Sequence, residues 1–164
     1  MARMRTSRPT LHRLTARGGR VVLRHWVPAP SVHISRLDGF FFKELATPYL
    51  ESIEAAAERD GKLLLFADWF GMTGYDSESR KVMTAWLQQR INDVVVRLCV
   101  KSGIVSMGVN MANAVIGGKI TVTANHQAFY DSIRELVPQA THAEITRFSA
   151  GKDEGFAVQS MEVG

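Results

Sequence analysis

The sequence predicts an α/β domain: a mixed, mostly parallel central sheet layered with about four helices. Three observations carry this reading. Residues 63–66 are a continuous apolar run between Asp60-Gly61 and Asp68, the pattern of a strand covered on both faces and therefore placed mid-sheet. Behind it Asp76 offers a carboxylate to the free N–H groups of a first helical turn, and Val82, Met83, Trp86, Leu87 and Ile91 follow at spacings of three and four, the stripe of a helix lying on a sheet. Beyond that point strand-like and helix-like segments alternate regularly, as parallel α/β layers require.

Taken in order, residues 1–18 show no sustained periodicity and are expected to be a basic, disordered arm ending at Gly18-Gly19. Residues 20–26 and 31–37 read as two short strands joined across Pro28-Ala29-Pro30, a hairpin. Phe40, Phe41 and Phe42 cannot all face one side, so at least one anchors a neighbouring element or stays partly exposed. Thr47-Pro48 predicts a helix start with Thr as N-cap, and Tyr49, Leu50, Ile53, Ala56 and Ala57 supply its buried stripe. Gly71, Thr73 and Gly74 predict a tight connection before the Asp76 helix.

Residues 94–100 predict the next strand. A helix over 104–116 follows, apolar through Val105, Val109, Ala112 and Ile116, with Gly108 and Ala112 allowing close backbone approach. Gly117-Gly118 stops it, 119–124 alternates as a strand, and Asn125 caps a helix carrying Phe129, Ile133 and Leu136. These elements define a domain over 19–138. In 139–164 the pattern weakens, and 143–148 and 156–161 are expected either to pair as a hairpin or to form a loose tail.

The chain has 164 residues and one domain's worth of apolar content, so it needs no metal or disulfide staple. Its only cysteine, Cys99, lies in an apolar run and is expected to be a buried, inert thiol, which fits a reducing cytoplasm. The net charge of +4 is unevenly placed: the first 24 residues hold seven arginines and no acid, and +4 less those seven leaves −3 for the remainder. That distribution argues against a whole-domain nucleic-acid surface, although the arm itself offers contact to anionic surfaces. An Arg-rich, acid-free start also describes a transit peptide, a disordered extension or an upstream start codon. Nowhere is there the roughly 20-residue apolar run of a membrane span.

The strand over 64–68, Tyr75-Asp76-Ser77, the segment from Lys101-Ser102 to Ile116, and the closing pair over 120–136 together resemble a STAS domain. This is the sulfate-transporter and anti-sigma-factor-antagonist (SpoIIAA-like) fold, in its single-domain bacterial form. The resemblance covers roughly residues 20–137 and implies a non-enzymatic regulatory domain, in bacterial signalling, that binds a protein partner. It also implies a switch hydroxyl at the second Ser of the family motif. That position is Glu78 here, with Ser79 where the family has Gly. A carboxylate at a helix start resembles a permanent, weaker form of the phosphorylated state. Ser77 and Ser79 are the remaining candidates for phosphorylation, against the plainer role of helix-start residues.

No catalytic motif assembles. The histidines (12, 25, 33, 126 and 142) show no pair on one helix face and no neighbouring Cys, so neither metal nor cofactor is expected. Gly117-Gly118-Lys119 is a helix stop rather than a phosphate loop. Asp68 reads either as a buried acid or as a carboxylate satisfied by backbone N–H groups. Met107 and Met111, with Met83 and Trp86, are expected in the core, the alternative being an adaptable apolar pocket. Ser102, Ser106, Asn110 and Asn113 give the 104–116 helix a polar face toward solvent or a groove.

The expected docking surface is therefore Asp76, Ser77, Glu78, Ser79 and Arg80 with Ser102, Ser106 and Asn110. A small-molecule or lipid-binding module with an apolar cavity is the alternative, and an enzyme stands third. A homo-oligomer through residues 40–42 and the tail is also open.

Overall fold

The computed structural model describes residues 8–164. Thirteen elements alternate along these residues. The first three strands are β1 (Thr10–Ala16), β2 (Val21–Ala29) and β3 (Val32–Phe41), followed by helix α1 (Lys43–Asp60). Next come β4 (Leu63–Trp69), β5 (Met72–Tyr75) and α2 (Ser77–Arg90), then β6 (Val94–Val100), α3 (Gly103–Val115), β7 (Ile120–Thr123) and α4 (His126–Leu136). The chain closes with α5 (His142–Ser149) and β8 (Ala157–Val163).

The eight strands form one mixed sheet in the order β7-β6-β4-β3-β2-β1-β8, with β5 paired to the far part of β3. Only the β1–β2 and β2–β3 pairs are antiparallel. Helices α1, α2 and α3 cover one face around Leu37, Ile53, Leu65 and Leu98. Helices α4 and α5 cover the other around Trp26, Phe66, Phe129 and Phe148. β4 lies mid-sheet between β3 and β6, and Phe66 is completely buried, as its apolar run requires. No helix among the described residues is long and apolar enough to cross a membrane.

Several expectations are corrected. Part of the predicted arm, Thr10–Ala16, is strand β1, which buries Leu11, Leu14 and Ala16; Gly18-Gly19 is its turn into β2 rather than a boundary. Three of the arginines are paired with acids elsewhere in the fold. Arg13 and Arg24 both pair with Asp153, and Arg17 pairs with Glu44 while its guanidinium lies 4.3 Å from the centre of the Phe42 ring. The part of the arm in residues 1–7 lies outside the described residues.

Helix α1 starts at Lys43, ahead of Thr47-Pro48, and Pro48 sits inside it. The tail is neither a hairpin nor loose. Thr141 and Glu144 form a reciprocal capping box that starts α5, and β8 runs parallel to β1. That fifth helix exceeds the four expected. The 71–74 connection contains the short strand β5. Of the three phenylalanines, Phe41 is buried while Phe40 and Phe42 are half-buried against one another.

Candidate functional site

Strands β4, β6 and β7 run in the same direction, so the segments that leave them, opening α2, α3 and α4, emerge along one edge of the sheet. Ligand and partner sites of parallel α/β sheets gather along such carboxyl-end edges. Each helix start has its own cap: Asp76 accepts from the Ser79 N–H at 2.7 Å, Ser102 from Val105 at 3.5 Å and Asn125 from Ala128 at 2.9 Å.

Asp76 also serves a second helix. Its other oxygen accepts from the Lys43 N–H at 2.9 Å, at the start of α1, whose own N-cap residue Phe42 has no side-chain acceptor. Partial burial opposes ionisation of Asp76, but the Ser79 and Lys43 N–H groups outweigh it and hold the carboxyl below its ordinary value.

The expected docking residues separate by exposure. Ser77 and Glu78 are exposed, Glu78 lying 3.3 Å from Lys81. Arg80 is half-buried and lines an apolar cavity. Ser79 is completely buried and its hydroxyl donates toward the Phe41 and Asp76 carbonyls, which corrects the expectation of a phosphorylation site there. Ser102 and Ser106 are half-buried and Asn110 is exposed. Asn113, expected to face outward, bonds both the N–H and the carbonyl of Ile120 and so fixes the start of β7.

The two halves of this surface meet at Tyr75 and Gly108. A Cβ on Gly108 would lie 2.1 Å from the Tyr75 hydroxyl, so only glycine lets α3 seat against the end of β5. With Val105, Gly108 and Val109 turned inward, α3 exposes an apolar stripe: Ile104 (64%), Met107 (59%), Met111 (53%) and Val115 (62%). Met107 and Met111 are therefore surface residues, against the expectation of core packing. The α2 stripe of Val82, Met83, Trp86 and Leu87 is only partly buried. Beneath it lies an apolar cavity of about 90 Å³, lined by residues including Tyr49, Trp69, Met83, Trp86, Val105 and Ile116.

On the opposite face, Asp68 anchors a cluster that reading the sequence did not assemble. One carboxylate oxygen accepts from the Tyr130 hydroxyl at 2.5 Å and bonds His126 Nε2 at 2.8 Å; the other accepts from the Phe70 N–H at 3.1 Å. Arg36 is its register partner on β3 and Cys99 its partner on β6. Burial and the Asp68 charge raise the Tyr130 hydroxyl far above its ordinary value, and the same two causes push the Cys99 thiol up to about 12. Cys99 is thus an unreactive thiol. The spacing of His126 and Tyr130, one helical turn apart behind the Asn125 cap, was the available signal.

A third group lies under α1. His12, His25 and His33 stack across β1, β2 and β3, with ring centres 4.6 and 5.2 Å apart and planes 8° and 14° from parallel. Among the described residues no group of three or more His, Cys, Asp or Glu side chains is arranged to hold a metal ion.

No family model matches the chain, and no curated protein matches it. Solved structures do, among them the following two. One is an uncharacterised DUF3478-family protein with a SpoIIAA-like fold from Shewanella loihica. It is 10% identical, with a TM-score of 0.50, over 62% of this chain and 82% of that one. The other is the anti-sigma factor antagonist SpoIIAA in its unphosphorylated form, 13% identical, with a TM-score of 0.53, over 70% of this chain and 98% of that one. The fold is that of a STAS-type α/β domain. Within that type it is SpoIIAA-like, and about a third of the chain lies outside the shared part.

Proposed function

We propose that this chain is a non-enzymatic regulatory domain that captures a protein partner on the surface shared by the start of α2 and the outer face of α3. The observation that carries the proposal is the exposed stripe of Ile104, Met107, Met111 and Val115. Four large apolar side chains along one helix face exceed the scattered exposure of an ordinary surface and mark a contact site. Glu78, exposed at the α2 start, supplies charge at its margin. The similar fold of an anti-sigma factor antagonist supports a regulatory role, and a lone buried cysteine suits a reducing cytoplasm.

Met107→Lys and Glu78→Lys test this in pull-downs from native lysate. Met107→Lys is expected to weaken capture at least about tenfold, the effect of losing an apolar anchor, and Glu78→Lys less, with circular dichroism unchanged for both. Capture profiles identical to wild type would count against the proposal.

The cavity under α2 supports a second reading, a module for a small apolar ligand. At about 90 Å³ it is smaller than the roughly 150 Å³ that admits benzene in an engineered protein cavity, so the ligand would be a short alkyl group. A native mass spectrum of the purified protein is expected to show such a ligand bound, with loss in Ala112→Phe, which fills the lining. A spectrum of bare protein removes this reading.

A further inference from the structure

We propose that β8 is the pairing edge of a twofold dimer, in which the β8 strands of two copies run antiparallel and join the two sheets into one. Among the described residues β8 ends the sheet order, bonded on one side to β1 and open on the other. Six of its seven residues are exposed and the seventh is half-buried, with Val158 at 41% and Met161 at 48%.

Proteins guard such edges with Lys, Pro, bulges or very short strands. The sequence AVQSMEV contains no Lys or Pro, its single charge being Glu162, and its pairing with β1 runs in unbroken register over all seven positions. The opposite edge of the sheet is guarded, since β7 has four residues and follows Lys119.

The choice of a second copy rests on parity. The Ala157 N–H donates to the Pro9 carbonyl, so Ala157, Gln159, Met161 and Val163 turn their backbone groups toward β1. Val158, Ser160 and Glu162 therefore turn theirs outward. Ser160 is the middle residue of the strand, and a twofold axis through it sets Ser160 against Ser160 and Val158 against Glu162. Every outward N–H and carbonyl then meets a counterpart in the hydrogen-bonded antiparallel pattern. Glu162, the only charge in the strand, faces Val158 rather than another acid.

One strand edge buries far less than the roughly 1,600 Å² of a standard interface, so a reversible dimer with Kd on the order of 10–100 µM is expected. Sedimentation equilibrium from about 5 to 500 µM should show the wild type passing from monomer to dimer over this Kd range. Ser160→Pro removes an outward N–H that the monomer does not use, and should raise the Kd at least about tenfold with unchanged circular dichroism. Ser160→Cys should form a disulfide-linked dimer on mild oxidation, because hydrogen-bonded antiparallel partners stand about 5.5 Å apart at Cα, within disulfide reach. Cys99 is fully buried and does not compete.

Met107→Lys should leave dimerisation untouched, which separates this interface from the α3 surface. A wild type that stays monomeric throughout, as an edge reserved for a different protein's strand would give, overturns the proposal. So does a dimer that Met107→Lys abolishes. Should Ser160→Pro fail to fold, the Ser160→Cys cross-link decides: no disulfide dimer overturns the proposal.

Discussion

At pH 5.0 the chain is expected to be less stable than at pH 7.5 by on the order of 2 to 4 kcal/mol, through His25 and His33. Both imidazoles are buried, and each has an Nδ1 with no hydrogen-bond partner. Burial first, and then the neighbouring His12, lower His25 from 6.5 to about 4; burial, His25 and His12 lower His33 from 6.5 to about 3. The folded state therefore keeps these rings neutral where the unfolded chain protonates them. Stability is full above pH 6.5 and falls as the pH drops through the window from 6.5 toward 4 and 3.

Nothing packed around the stack compensates a new positive charge. His33 faces Ser52 at 3.4 Å and the ring of Tyr49, whose hydroxyl bonds Ser35. On the groove beside the stack Arg59 is already paired with Asp60, and the exposed Glu51 is in water. Carboxylates such as Asp76 lose their contribution only below about pH 4, so the interval from 7.5 to 5.0 isolates the histidines. Urea midpoints at the two pH values measure the effect, and His33→Gln should remove about half of it. Equal midpoints would sink the account.

The second large effect is expected at Asp68. Replacing it with Ala strands the Tyr130 hydroxyl, which is buried and has no other partner, and frees the Phe70 N–H and His126 from their common acceptor. A cost of about 3 kcal/mol follows from leaving buried donors unmet. His126 contributes least, because its side chain is about a third exposed and reaches water. Asp68→Asn keeps an acceptor oxygen for Tyr130 and should cost about 1 kcal/mol. Tyr130→Phe in the Asp68→Ala background should cost less than it does alone, since the hydroxyl has already lost its acceptor. Guanidinium unfolding of the four variants gives the coupling energy, and strictly additive losses would show that Tyr130 does not depend on Asp68.

Sequence patterning located what is local. The β4 strand, the Asp76 cap, the β6 run and the span of α3 were all readable, because apolar period and capping chemistry act within a turn or two. What escaped was held from far away. The start of α1 depends on Asp76, 33 residues beyond it, so the Thr47-Pro48 signal pointed one turn too late. β1 was hidden in an arginine-rich stretch, and its own Arg13 finds its acidic partner Asp153 only 140 residues further along.

The candidate surface was partly legible. Asp76, Ser77, Glu78 and the Lys101–Ser102 turn were found as helix starts, and the inward stripe of Val105, Val109, Ala112 and Ile116 already implies that Met107 and Met111 turn outward. The Tyr75–Gly108 contact that seats the helix, by contrast, joins positions no periodicity links. The histidine stack joins positions 12, 25 and 33 only through strand register, and the Asp68 cluster joins β4 to α4 across the sheet edge.

The clasp of Arg13 and Arg24 on Asp153 has a consequence for how the molecule is made. Arg13 and Asp153 are 140 residues apart, and β1 and β8 lie side by side along their whole length. As the polypeptide emerges from the ribosome, β1 can pair with β2 within a few residues, yet its other side stays bare until β8, some 140 residues further along, has been synthesised. Closing so wide a loop is a slow step. While everything between them is being made, then, the nascent domain carries an unzipped margin, and β8 is the strand that seals it.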